Sequence, residues 1–276
     1  MFARLKGEAK LQPPDDGDKR AVSEIVDRFY VKGILRVPEE ERLRTGRPVG
    51  STVKGIPLHI SGISNVKLDR KKVVAALDDV LRKIPKDFLS SDFISQISVA
   101  PIPTLIFSGS VGAFEHAQKE MMLDPMLFAE SGTSAHKSLL WWYKVRRRDV
   151  VKKGREHNKY LEDMTDHFGP EDAYKFVVLH EAAHAMHEAF KGMRKNPTAK
   201  ALARSSFLAN SVTYRGTDSK DEWFAEHMAL YLHNPDILKK RLPEAVPIMK
   251  RFLSEGKKIL RKTKKQHLQN MRGAMV

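Results

Sequence analysis

VVLHEAAHAMHEAF, residues 177–190, contains His180-Glu181-Ala182-Ala183-His184, and the conformation of this stretch decides how the rest of the chain is arranged. On a helix, side chains four apart share a face, so His180 and His184 can offer two imidazoles to one metal ion while Glu181 projects beside them. Upstream, Gly169-Pro170-Glu171-Asp172 makes a good helix start, with proline early and carboxylates in the first turn. We therefore expect a helix over 170–191, stopped by Gly192.

Two histidines demand a third protein ligand, because a catalytic zinc site takes three and leaves one position for water. The chain has no cysteine, so the metal must be held by His, Glu or Asp. His187 shares the face of His180 and His184, but a metal with bonds of about 2 Å does not easily reach three successive turns. The extended metzincin pattern needs Gly at 187 and His at 190, where this chain has His187 and Phe190, and that class is excluded. His227 and His233 are possible ligands, and Glu222 is a better one. Glu222 and Glu226 are four apart in a helix expected over Asp221–His233, ended by Asn234-Pro235. One carboxylate can bind the metal while the other hydrogen-bonds a ligating histidine. The neighbours Trp223, Phe224, Ala225, Met228, Ala229 and Leu230 make this helix largely apolar, hence buried rather than a solvated face.

Working outward, LDRKKVVAALDDVLRKIP (68–85) has apolar residues at 73, 74, 77, 80, 81 and 84, an amphipathic helix closed by Pro85. Strand-like runs follow at Ile97–Pro101, Thr104–Phe107 and within Gly112–Leu123. A helix, short strands, then the histidine-bearing helix is the order of a zincin-like domain. The expected fold class is therefore α+β, mostly helical, with a small mixed sheet whose edge strand lies above the active-site helix and pairs with an extended substrate. We place this domain at 67–255. Before it, 1–66 reads as an extension: a Pro- and Asp-containing leader, a short helix over 21–31, and a charged, then Gly- and Pro-rich linker in which Gly46-Arg47-Pro48 is a surface turn. After a helix over Pro243–Leu260, residues 256–276 read as a basic tail that frays.

The combination of His180-Glu181-x-x-His184, Tyr214-Arg215-Gly216 and Glu222-Trp223-Phe224-Ala225-Glu226 resembles the gluzincin-type zinc metallopeptidases related to the catalytic domain of anthrax lethal factor. The resemblance covers residues 177–232 well and the preceding strands loosely. It implies that His180, His184 and Glu222 bind Zn2+, that Glu181 is the general base, and that Tyr214 assists at the transition state, while the spacing leaves Glu226 as the carboxylate that supports a ligating histidine. The tyrosine stands one residue further from Glu222 than in that family, and the Gly and Arg after it are interchanged. Nothing resembles the toxin's receptor-binding or translocation regions.

The charge is +15, from 49 Lys and Arg against 34 Asp and Glu, which favours acidic partners. Two basic stretches stand out, 144–155 and 250–265, each a solvated helix face or a patch for nucleic acid or another acidic partner. No apolar run approaches ~18 residues and the first 20 residues lack a secretory core, so the expectation is a soluble intracellular protein without a membrane span or Sec-type signal, with a non-classical route or lysis as the alternative means of release. The function expected is zinc-dependent endopeptidase activity on a protein or peptide substrate. The alternative is a nucleic-acid-associated protein using a zincin-like scaffold, or a DNA-associated protease combining the two.

Overall fold

The computed structural model describes residues 52–61, 68–90, 92–102, 111–130, 132–134, 137, 170–190, 212 and 219–273. All of them lie in the compact unit Val49–Val276. The helix expected over 21–31, the Gly46-Arg47-Pro48 turn, the strand at Thr104–Phe107, the basic stretch 144–155, the stop at Gly192 and Tyr214 lie outside the described residues.

In chain order the elements are β1 (Thr52–Val53), β2 (Ile56–Ile60), α1 (Arg70–Leu81), β3 (Gln96–Val99), β4 (Gly112–Glu115), β5 (Glu120–Leu123), α2 (Pro170–Glu188), α3 (Lys220–His233), α4 (Pro235–Arg241) and α5 (Ala245–Gly273). The class is α+β. Five strands form one mixed sheet in the order β1-β2-β3-β5-β4. The central pairs β2–β3 and β3–β5 are parallel, and the outer pairs β1–β2 and β4–β5 are antiparallel.

The packed unit starts earlier than the boundary expected at residue 67. Lys54 and Gly55 both have positive φ, 53° and 79°, the conformation of a two-residue hairpin turn. That turn brings Val53 opposite Ile56. Val53, Ile56 and Leu58 are buried in the main core, so what reads as linker is the first hairpin of the sheet.

Period-2 alternation aims one face of the sheet at the helices. Ile56 and Leu58 of β2, Ile97 and Val99 of β3, and Met121 and Leu123 of β5 all belong to the same buried cluster as the helix residues. α1 forms where its apolar spacing predicts. Asp69 caps it by accepting from the Lys71 and Lys72 N–H groups at 2.8 and 3.3 Å, and it buries Val73, Leu77, Val80 and Leu81.

Every residue of α2 from Val177 to Met186 is buried. A helix apolar on nearly all sides belongs inside a fold, and α2 is in contact with β4, β5, α1 and α3. Alanines at 182, 183 and 185 leave room for close helix approach. Beyond its end, Phe190 joins Phe88, Phe224 and Phe252 in a cluster of rings 4.7 to 6.1 Å apart, within the range of favourable aromatic pairs.

Phe252 and Gly256 bind α5 into this cluster. A β-carbon at Gly256 would stand 2.8 Å from Phe88 Cζ and 3.0 Å from Phe190 Cζ, closer than real contacts allow. The boundary expected between 255 and 256 therefore falls on a buried contact in the middle of a helix. The helix continues to Gly273, past the end expected at Leu260. No helix among the described residues is long and apolar enough to cross a membrane.

Candidate metal centre

α2 and α3 make the most extensive contact between elements, and that contact brings the two halves of the sequence pattern together. Ser219 caps α3, accepting from the Glu222 N–H at 3.1 Å. Glu222 thus sits in the first turn, where the positive end of the helix dipole favours a carboxylate. Its side chain reaches across to α2.

His180 Nε2 and His184 Nε2 lie 3.1 Å apart. Glu222 Oε2 is 3.2 Å from His180 Nε2, and Glu222 Oε1 is 3.7 Å from His184 Nε2. Three ligands at about 2.0–2.1 Å around a tetrahedral ion would stand roughly 3.3 Å from one another, and the observed separations bracket that value. Both imidazoles are buried, while the Glu222 side chain is 20% exposed, so the group is open on one side. These three residues form a set able to hold a metal ion. The donors suit such an ion: two imidazoles and a carboxylate, with no thiolate.

Glu226, one turn beyond Glu222, places Oε1 2.9 Å from His180 Nδ1. At that distance the Glu226 carboxylate faces the ring nitrogen and favours its protonated form. Burial opposes charge on His180, and the surrounding carboxylates of Glu226, Glu222 and Glu181 outweigh it, raising its pKa from 6.5 to about 10. Any cation entering the site must displace that proton.

Glu181 is buried beside the ligands, beneath the edge strand. A β-carbon at Gly112, the first residue of β4, would stand 2.5 Å from Val177 Cγ1 and 2.9 Å from Glu181 Oε1. Only a residue without a side chain lets β4 pass this close to α2. Among the described strands, β4 pairs with β5 alone. Gly112 was not singled out from the sequence, because its importance lies in a contact with residues 65 and more positions away.

His116, in the β4–β5 turn, is a second residue not singled out from the sequence. Its Nδ1 lies 3.0 Å from Glu188 Oε2, and its ring stands edge-on to His184, centroids 6.2 Å apart. A histidine at the tip of a hairpin expected over the cleft is the one signal that points to it.

The other candidate ligands are engaged elsewhere. His187 Nδ1 is 3.2 Å from Asp221 Oδ1, with its ring against Phe224. His233 lies between Lys83 and Asp172, each 3.4 Å from a ring nitrogen, and burial lowers its pKa. His227 is buried and stacked on Trp223. Its Nδ1–H donates to the Trp223 carbonyl at 2.6 Å, and its Nε2 accepts from the Val212 N–H at 3.1 Å. Both nitrogens therefore serve backbone, and the neutral tautomer is fixed.

Burial pushes the His227 pKa down, from 6.5 to about 4. Between these values the unfolded chain binds a proton that the folded chain does not. Stability is thus fully present above pH 6.5 and is lost as the pH falls toward 4, by about 3 kcal/mol from this group. Thermal melts from pH 7 to 4 should show this decline, and His227→Gln should lose most of it. An equally steep decline in the variant would exclude His227 as the source.

No known family model matches the chain, and no curated protein matches it in sequence.

Proposed function

We propose that the chain is a zinc-dependent endopeptidase with a zincin-like catalytic domain. The observation that carries this is the convergence of His180 Nε2, His184 Nε2 and the Glu222 carboxylate within 4.8 Å of one another, with Glu181 beside them under β4. His180, His184 and Glu222 would hold the ion, since two imidazoles, one carboxylate and an open side form the ligand set of catalytic zinc. Bound zinc would supply Lewis-acid polarisation of the scissile carbonyl and make water more acidic.

The remaining work belongs to the chain. Glu181 takes a proton from the attacking water and returns it to the leaving amine, so one carboxylate serves as base and then as acid. Its buried position fixes it next to the ligands and limits exchange with solvent. An extended peptide laid antiparallel or parallel to Gly112–Glu115 would pair with the backbone N–H and C=O groups of β4, which bonds to β5 alone among the described strands. Main-chain pairing of this kind favours peptides over small esters or amides, and it needs no chain terminus. Tyr214, by its resemblance-based role, would donate a hydrogen bond to the developing oxyanion.

Removal of metal tests the reading. Dialysis against a strong chelator should abolish peptide hydrolysis, and about one equivalent of zinc per chain should restore it. Hydrolysis that persists in metal-free protein would rule this function out.

A further inference from the structure

We infer that α5 is a nucleic-acid-binding element that lies along the phosphate backbone. This goes beyond the peptidase reading and does not depend on it. Between positions 250 and 265 the helix carries Lys250, Arg251, Lys257, Lys258, Arg261, Lys262, Lys264 and Lys265 against one acid, Glu255. With 3.6 residues per turn, all eight cations fall within an arc of about 160°. Met249, Phe252, Gly256 and Leu260, which hold the helix to the core, occupy the opposite side. The basic stretch is therefore a single stripe presented to solvent.

Its pairing is sparse. Arg251 is matched to Glu255 and Arg261 to Asp87, at 3.4 and 3.0 Å. No other cation of the stripe has a carboxylate at ion-pair distance among the described residues. Residues 261–266 are all exposed, so the stripe runs on past Leu260, the last core contact among the described side chains.

Spacing and chemistry select the partner. Fifteen residue steps span about 22 Å, which places one cation per roughly 3 Å of helix. A nucleic-acid strand carries one phosphate per about 3.4 Å, a comparable linear density. A membrane surface is disfavoured, because an interfacial helix needs a free apolar face. Here that face is used by the core up to Leu260, and Arg261–Gln266 contains no apolar side chain.

Fluorescence anisotropy of a labelled 20-base-pair DNA duplex with the full chain, from 50 to 200 mM salt, tests this. Wild type should bind with a steep salt dependence. The combined variant Lys250→Gln, Lys258→Gln, Lys262→Gln and Lys265→Gln should bind at least about tenfold more weakly at 100 mM. Its log–log salt slope should be shallower by about 3 to 4, one counterion per lost phosphate contact. The matching four Lys→Arg changes should leave both unchanged, which separates charge from a folding defect, and circular dichroism should show the helix retained in both variants. The inference is overturned if wild type does not bind at 50 mM, if the Gln variant keeps the wild-type affinity and slope, or if the Arg variant binds as weakly as the Gln variant. Stronger binding to polyglutamate or to phosphatidylserine vesicles than to the duplex would also overturn it, assigning the stripe to an acidic polypeptide or a membrane.

Discussion

Glu181→Gln is expected to retain about one zinc per chain while peptide hydrolysis falls about 10³-fold. The two changes separate because Glu181 is not among the three converging ligands, whereas the proposed reaction uses its carboxylate to accept and return a proton. General acid–base groups contribute about 10²–10⁴-fold, and here one group serves both transfers. Glutamine preserves the volume of a side chain packed under Gly112, so the fold and the metal set should survive. The loss should appear in kcat more than in KM, since the carboxylate acts on water rather than on the bound peptide. Loss of zinc along with activity would instead make Glu181 a structural support of the ligands.

Glu222→Ala should lower zinc affinity by more than Glu226→Gln does. The first removes a ligand from a set of three. The second removes the charge facing His180 Nδ1 at 2.9 Å, and loss of such an outer partner costs about 10–100-fold in affinity. Isothermal titration or competition with a coloured chelator would rank the two. Alanine at 222 keeps the Ser219 cap intact, because that bond uses the Glu222 backbone N–H, so the effect should be on the metal and not on α3. If the order were reversed, Glu226 would be the ligand and the α3 register would have to shift by a turn.

What the sequence made legible follows from helix geometry. His180, His184, Glu222 and Glu226 are paired at intervals of four, and that spacing alone puts each pair on one face. Burial of α3 was also legible, from the apolar run around the two glutamates. α1 followed its period, starting two residues later than expected and ending at Leu81, short of Pro85.

Other features depended on tertiary contacts that no local pattern encodes. The β1–β2 hairpin is hidden by its turn: Lys54 adopts positive φ where sequence habit would expect Gly or Asn, and the flanking segment is rich in Gly and Pro. The continuation of α5 was missed because a run of lysines resembles a solvated tail, while the residue that anchors it, Gly256, has no side chain to signal packing. His227 looked like a ligand because both its nitrogens were free to be assigned. The structure gives one to the Trp223 carbonyl and the other to the Val212 N–H. His116 and Gly112 acquire their places only when β4 is laid on α2.

The central claim is that the residues gathered at α2 and α3 hydrolyse peptide bonds. Its most direct test is incubation of the zinc-loaded chain with a mixed peptide library, with new termini identified by mass spectrometry and Glu181→Gln run in parallel. Wild type should make internal cleavages that all but vanish in the variant at equal zinc content. No cleavage by zinc-loaded wild type, or equal cleavage by the variant, would contradict it.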